Sequence, residues 1–198
     1  MITANTVADY FLAFANECEE LITNLKLNKL VYYTQAWHLA LFKEPMFEEE
    51  IEVWVHGPVL PAVYDTYKHF KWTPIIKHNL NLEEIKQQFG NEQQELLDDI
   101  IEVYFPKTAY ELEQMTRDDG PWVIARDGLE PDKASHKVIT HDAMQKYFAE
   151  LLKQGDINGM PERDTLLVLE LLENPPPPSS KLIGAAKAWT DNQKKLDE

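Results

Sequence analysis

Large apolar residues near the start of this chain recur at the α-helical spacing. A first set lies at positions i, i+3, i+4 and i+7 of one helical face and consists of Val7, Tyr10, Phe11 and Phe14. A second run follows a capping residue, Thr23 or Asn24, and keeps the same period to Leu41, while Tyr33 and Trp37 widen its apolar stripe. A surface helix needs only one such stripe, so the width predicts a second helix that is buried on two sides.

The next segment changes to a period of two. Residues 51–55 alternate in the manner of a short strand, and His56-Gly57-Pro58 interrupts them, which predicts a small hairpin or ribbon. Pro58 suits the first turn of a third helix, because the missing N–H of proline costs nothing there. The fold class predicted for this region is therefore a mainly α, compact helical domain with a minor β-hairpin or ribbon.

Later helices are predicted from their start and stop residues. Asn81 resembles a cap with Gly90 as terminator, Thr108 opens a capping box, and Thr140 caps the helix that carries Met144 and Phe148. A further amphipathic face follows Gly90 and consists of Leu96, Leu97, Ile100, Ile101 and Tyr104. After Gly120-Pro121-Trp122 the composition predicts a loop around Gly128 and Pro131.

A change of composition divides the chain near residue 152. Residues 1–152 are predicted to form the domain, residues 153–161 a flexible linker, and residues 162–198 a C-terminal extension. The extension contains two helical segments, Glu162 to Leu172 and Ser180 to Thr190. Between them Pro175 to Pro178 favour the extended polyproline II conformation, which predicts a helix-polyproline-helix arrangement.

The charge of the chain limits its partners. The formal net charge is −15 and the isoelectric point is near 4.8. Residues 1–152 hold 13 basic and 26 acidic residues, a net charge of −13, so the acidity belongs to the predicted domain. Such a surface repels phosphates and anionic lipids, which disfavours direct nucleic-acid or membrane binding, whereas a basic protein is its complement. A purely solubilising role of the charge is the alternative.

Two further features favour a cytoplasmic protein. Cys18 is the one cysteine, which excludes an intramolecular disulfide. The first residues lack the basic and apolar parts of an export signal, and no run of 18 apolar residues occurs.

Candidate chemistry is sparse. The six histidines form no ligand pair such as HExxH, and His38 on the second helix is predicted to be a hydrogen-bonded structural residue. Acidic clusters such as Glu48 to Glu50 are expected by chance among 34 acidic residues. No glycine-rich phosphate loop is present. We therefore predict no catalytic, cofactor-binding or metal-binding residue, and keep a metal-dependent or hydrolytic enzyme as a distant alternative.

Three stretches together resemble a known family. Residues 25–41 read LKLNKLVYYTQAWHLAL, residues 45–48 read PMFE and residues 51–64 read IEVWVHGPVLPAVY. In this order they resemble the Panacea, or SocA-like, antitoxin domain, and the resemblance covers about residues 5–150. It implies a helical domain that neutralises toxins by direct protein contact. The family's later motif, Thr-His-x-x-x-Pro-Trp, is similar to residues 116–122, although Arg117 stands in the place of the histidine.

The residues that carry this resemblance have two interpretations. They serve the packing and turns of the fold, which we favour, or they bind the partner directly. They are Leu27, Lys29, Leu30, Tyr32, Trp37, His38, Gly57, Pro58, Val59, Tyr64, Pro121 and Trp122.

The extension resembles a second kind of protein segment. Residues 164–189 combine a leucine-rich helix, an Asn-Pro-Pro-x-Pro brace and a second short helix, and are similar to the neutralising tail of ribbon-helix-helix antitoxins that pair with GNAT acetyltransferase toxins. The toxin-binding residues predicted from this pattern are Leu167, Leu171, Asn174, Pro175, Pro176, Pro178, Leu182, Ile183, Ala186 and Trp189. A helix this short is marginal alone and is expected to fold on binding.

Three alternatives remain open for partners. The extension binds a cognate toxin, as the resemblance implies, or it packs back on its own domain or pairs in a homodimer. A complex of this chain with a toxin could also be a hetero-tetramer. A SocA-like protein can further act as an adaptor that delivers a bound toxin to a cytoplasmic protease, which is the alternative to neutralisation by occlusion.

Overall fold

The computed structural model describes residues 2–130 and 132–154. These residues are mainly helical with one two-stranded antiparallel sheet, which confirms the predicted fold class. In chain order the elements are α1 (Ala4–Glu17), α2 (Asn24–Phe42), β1 (Glu52–Trp54), β2 (Gly57–Val59), α3 (Pro61–Tyr67), a 3₁₀ turn (Lys68–Phe70), α4 (Leu82–Lys86), α5 (Asn91–Tyr104), α6 (Ala109–Asp118), α7 (Gly120–Arg126) and α8 (His141–Gln154).

The described residues up to Ala149 form one compact unit. The predicted extension and residues 155–161 of the predicted linker lie outside the described residues, so the boundary after Leu152 stays a prediction. Across the two described ranges, no helix has the length and apolar character that crossing a bilayer requires.

Helix α2 lies at the centre of this unit. Thr23 is its cap, because the Thr23 side chain accepts a hydrogen bond from Lys26 N at 3.3 Å. Fourteen of its 19 residues are buried, and α1, α3, α5, α6 and β2 all pack on it. The prediction that this helix is buried on two sides is confirmed, and the packing extends further around it than the apolar stripe indicated.

Aromatic rings fill the core around the middle of α2. The Tyr33 ring stacks on Tyr104 of α5 with 4.0 Å between the ring centroids. Phe148 of α8 meets Tyr32, Tyr33 and Trp37 edge-on at centroid distances of 4.9 to 6.2 Å. Edge-to-face and offset contacts of this kind add to the free energy gained by burying the rings. They fix α5 and α8 against the same side of α2.

The predicted ribbon is a hairpin of β1 and β2. Glu52 pairs with Val59 and Trp54 with Gly57. Pro58 does not open a helix as predicted but lies in β2, and α3 begins instead at Pro61. Both prolines fit a helix start equally well from sequence, and the choice depends on a distant residue: Asn28 on α2 accepts a hydrogen bond from Leu60 N at 2.9 Å, directly ahead of Pro61.

Two segments that contain glycine also differ from their predicted structure. Gly90 was predicted to end a helix, but it is the cap of α5, with its N–H bonded to Gln93 Oε1 at 3.1 Å. The segment Gly120-Pro121-Trp122 begins a helix that was not predicted, α7, where Pro121 occupies the first turn. The predicted loop around Gly128 follows the end of this helix at Arg126. The predicted caps Asn81, Thr108 and Thr140 do accept hydrogen bonds from the first turns of α4, α6 and α8 respectively.

Replacing Phe148 tests the aromatic core. Its side chain is 1 % exposed and contacts rings from α2. We expect Phe148→Ala to lower the free energy of unfolding by about 3 to 5 kcal/mol, because the truncation leaves a cavity. Tyr110→Ala is the control, since Tyr110 is 69 % exposed, and it should change the value by at most about 0.5 kcal/mol. Urea unfolding measures both, and equal effects of the two variants would contradict the packing described.

Candidate partner-binding groove

A buried lysine attaches the hairpin to the central helix. Lys29 of α2 is completely buried, and its Nζ donates hydrogen bonds to the carbonyl oxygens of Pro58, at 2.9 Å, and of His56. Burial of an amine is costly unless hydrogen bonds replace its water, which these carbonyls do. Burial lowers the pKa of Lys29 from 10.5 to about 7, while Glu113 acts in the opposite direction. A neutral amine retains two N–H donors, so both bonds survive deprotonation.

Gly57 occupies the tightest point of this attachment. Its φ of +91° lies in the region that side chains rarely adopt. A Cβ at this position would come within 2.8 Å of both Lys29 Nζ and Thr116 Oγ1. The turn can therefore approach α2 and α6 this closely only with glycine.

A chain of polar and aromatic contacts continues from the hairpin to α6 and α7. His56 Nδ1 lies 2.9 Å from Glu113 Oε1, and an Arg117 nitrogen lies 3.8 Å from the same carboxylate oxygen. The Arg117 guanidinium is also 5.7 Å from the centre of the Trp122 ring. Trp122 Nε1 donates to the Trp54 carbonyl at 3.2 Å. These contacts hold α6 and α7 against the hairpin.

A second buried polar cluster surrounds Asp119. Burial raises the pKa of the Asp119 carboxyl to about 7, and the nearby hydroxyls of Tyr32 and Tyr33 act against the rise. Burial also raises the pKa of both tyrosines well above the usual range. The two hydroxyls face Asp119, but neither of them, nor Asp119 Oδ2, makes a hydrogen bond of good geometry within the described residues. All three residues are buried.

An open groove of about 610 Å³ lies on the outer side of the hairpin. Trp54 and Tyr64 form one aromatic wall, with 4.8 Å between their ring centroids. Trp72 and His56 form a second aromatic wall, at a centroid distance of 6.0 Å. The remaining described lining residues are Asn24, Leu25, Asn28, Val55, Val59, Lys68, Lys71, Ala134, Ser135 and His136.

The charge of the groove is opposite to that of the domain. Among the described lining residues there is no aspartate or glutamate, whereas two lysines and two histidines are present. The carboxylates that pair with these histidines, Glu113 and Glu52, do not line the groove. The groove is thus a basic and aromatic surface on a segment whose net charge is −13 over residues 1–152.

Backbone contacts between distant segments hold both sides of the groove. The segment that follows Trp72 is attached to the start of α2, because Ile75 N donates to the Ile22 carbonyl at 2.9 Å. The segment with Ser135 and His136 is attached to β1 through the bond from Val53 N to the Lys137 carbonyl, also 2.9 Å long. The groove is therefore formed by four separate parts of the chain.

The predicted motif residues fall into three places. Leu27, Lys29, Leu30, Tyr32, His38, Gly57, Pro58, Pro121 and Trp122 are buried. Val59 and Tyr64 line the groove, and Trp37 is half-buried with its Nε1 donating to Tyr104 Oη at 2.8 Å. Their burial supports the interpretation that most of them serve the fold, which stays a prediction. The predicted toxin-binding residues of the tail, Leu167 to Trp189, lie outside the described residues.

Sequence reasoning missed Lys71 and Trp72. Trp72 is 74 % exposed and Lys71 precedes it directly. A signal was present, since Trp72 lies outside the helical period of Val63 and Tyr67 that precedes it. A tryptophan that no helical face can bury is a candidate for partner contact.

His38 is buried on α2. His38 Nδ1 bonds to the Glu44 carbonyl at 2.8 Å within the core, as expected of a structural histidine. Within residues 2–130 and 132–154 there is no group of three or more His, Cys, Asp or Glu side chains that could hold a metal ion.

Comparison with known proteins supplies the family. Residues 27–123 match the family model described as antitoxin SocA-like, Panacea domain. This segment of the chain belongs to the Panacea-domain family. No curated protein and no solved structure matches it significantly. The matched residues of the Panacea domain include Lys29, the hairpin and the four residues that form the aromatic walls of the groove. The family description supports an antitoxin role in general.

The departure at Arg117 has a structural counterpart. Arg117 lies over the ring of Trp122 and near Glu113, where it keeps a positive charge beside both. An imidazole is shorter than the arginine side chain, so any role of the histidine that is usual in the family cannot be transferred to Arg117 by position alone.

Replacing Gly57 tests the close approach of the hairpin. We expect Gly57→Ala to lower the free energy of unfolding by about 3 kcal/mol, because backbone strain and a steric clash act together. Gly128→Ala is the matched control: φ is +70° there, but nothing lies within 4 Å of the added Cβ, so strain alone should cost about 1 kcal/mol. Thermal or urea unfolding compares them. A loss at Gly57 no larger than that at Gly128 would be inconsistent with the contact.

The pH dependence of stability tests the burial of Lys29. Its pKa is about 7 in the folded chain against 10.5 ordinarily, so the unfolded chain binds more protons between these values. Stability rises with pH wherever the unfolded state binds more protons. The free energy of unfolding of the wild type minus that of Lys29→Met should therefore be constant below about pH 7 and rise toward pH 10.

The control for this experiment is Lys146→Met. The Lys146 side chain is 75 % exposed, and the same difference should show no comparable rise. A difference that stays constant from pH 6 to pH 10 for Lys29→Met would show that Lys29 is not buried as described.

Proposed function

We propose that this chain is the antitoxin of a type II toxin–antitoxin system and neutralises a cognate toxin by binding it directly. The observation that carries the proposal is the match of residues 27–123 to the antitoxin SocA-like Panacea domain. The exposed Trp72 beside a groove of about 610 Å³ supports a protein partner, since large apolar groups grouped at the surface are typical of interaction sites. We place the protein in the cytoplasm, where its single cysteine remains reduced.

The C-terminal extension is proposed to select the toxin. Leu182, Ala186 and Trp189 recur at i, i+4 and i+7, so a short helix there has an apolar face that needs a partner surface. The four prolines before it are restricted in conformation already, which lowers the entropy lost on binding. The resemblance of residues 164–189 to tails that bind GNAT toxins makes an acetyltransferase our choice of partner. Such a tail would obstruct the access of acetyl-CoA or aminoacyl-tRNA.

Co-expression tests the proposal. The product of the reading frame next to that of this chain serves as the toxin, and the full-length chain should restore growth. A chain that ends at Leu152 should fail to do so, because it lacks the selecting extension. Growth no better than with an empty vector would refute the antitoxin function, whereas equal rescue by the shortened chain would refute only the role of the extension.

Toxin lifetime separates occlusion from proteolytic delivery. Direct neutralisation predicts that the toxin stays at its level and co-purifies with the full-length chain. A pulse-chase measurement checks this. A shorter toxin half-life in the presence of the chain would assign it instead to the adaptor class.

A further inference from the structure

We infer that the groove beside the hairpin binds an acidic segment of the partner polypeptide, with Trp72 as its apolar contact and Lys71 as its charge contact. The identity of that partner as the toxin rests on the proposed function. The binding surface itself rests on the geometry and charge of the groove. It is distinct from the extension, which selects the toxin in the proposal above.

The position of Trp72 favours an interface. Its ring meets the His56 ring at 86°, with 6.0 Å between the ring centroids, and 74 % of the residue is exposed. Tryptophan has only two side-chain torsions to order on binding and is enriched among residues that dominate interfaces. The wall of Trp54 and Tyr64 supplies a second apolar surface in the same groove.

The lysines determine the sign of the ligand. Lys68 pairs with the exposed carboxylate of Asp65 at 3.1 Å. Lys71 forms no ion pair within the described part of the chain. The first residues of α2, Asn24 and Leu25, also face the groove, and the positive end of the helix dipole adds to the same potential. A carboxylate in the groove would meet Lys71, which has no such partner among the described residues, and no described residue of the lining is acidic.

A polypeptide fits this charge distribution better than a nucleic acid or a metabolite. Duplex DNA carries a charge for about every 1.7 Å of its axis, and all but a few of these charges would face a surface with a net charge of −13 over residues 1–152. One or two carboxylates on a peptide meet only the groove, because screening limits their interactions to about 8 Å at physiological salt. Small-molecule sites enclose about 70 to 90 % of their ligand, whereas the wall at Trp72 stands open to solvent.

Peptide selection tests the ligand class without a known toxin. The full-length chain is panned against phage-displayed random dodecapeptides, and enriched peptides are measured by fluorescence polarisation. We expect aspartate or glutamate next to Trp, Phe or Leu. Affinity should fall at least about tenfold for Trp72→Ala and for Lys71→Glu, and the wild-type affinity should weaken as salt is raised.

Matched variants control for folding and for general charge effects. Tyr110→Ala removes another exposed aromatic side chain, and Lys146→Glu reverses another exposed lysine. Both lie outside the described lining of the groove, and both should bind the peptides as the wild type does. All four variants replace exposed side chains and should unfold cooperatively near the wild-type temperature.

Three results would overturn the inference. In the first, no peptide is enriched on the wild type relative to the Trp72→Ala chain. In the second, the enriched peptides lack acidic residues and bind the Lys71→Glu chain as well as the wild type. In the third, the peptides bind the groove variants and the control variants equally. Binding of a labelled oligonucleotide, dT12, is measured in the same way. If dT12 bound the wild type and this binding were lost in the Lys71→Glu chain, the groove would be reassigned to nucleic acid.

Co-purification with the toxin separates this inference from the proposed function. If the wild type retains the toxin and the Trp72→Ala and Lys71→Glu chains retain it equally, the groove inference falls and the antitoxin function stands. If acidic peptides bind the groove but the wild type retains no toxin, the antitoxin function falls and the groove assignment stands.

Discussion

An amine buried in the core of this domain must be surrounded by hydrogen-bond acceptors, and the structure supplies them from the backbone of a hairpin. Lys29 bonds to the carbonyls of His56 and Pro58. Leaving either of these groups without a partner in the core would cost about 1 to 3 kcal/mol. The position of the hairpin on α2 follows from this requirement, and so does the need for glycine at residue 57, where Lys29 and Thr116 leave no room for a side chain.

The hairpin separates two environments with different roles. On its inner side lie Lys29 and, through the His56 imidazole, Glu113 of α6. On its outer side Trp54 and His56 contribute to the walls of the groove. The hairpin whose contacts stabilise the fold therefore also contributes residues to the groove, which is present without a partner. Binding to a preformed surface avoids the cost of ordering it.

The acidic surface and the basic groove act at different ranges. A domain of strongly negative charge steers a basic partner toward it and repels nucleic acids. In the complex that we infer, Lys71 and Trp72 recognise a short acidic segment of that partner at close contact. The two charges would then complement different parts of one protein, which favours discrimination among partners of similar overall charge.

Local signals in the sequence were sufficient for most helices. The caps Thr23, Thr108 and Thr140 act on residues three positions away, and the apolar period of α1 and α2 is itself a local pattern. The roles of Pro58 and Gly90 were predicted incorrectly. Each residue is compatible with two local structures. For the start of α3 the choice depends on a distant side chain, Asn28.

The sequence by itself determined the mainly helical class, the acidic charge and the resemblance to an antitoxin domain. Only the tertiary structure decided that Lys29 is buried, since its hydrogen-bond partners lie 27 and 29 residues further along the chain. The groove likewise required the fold, because its walls come from segments that are joined by backbone bonds between distant residues such as Ile22 and Ile75. Spacing along a chain reports which face of an element is apolar, but it does not report which faces meet.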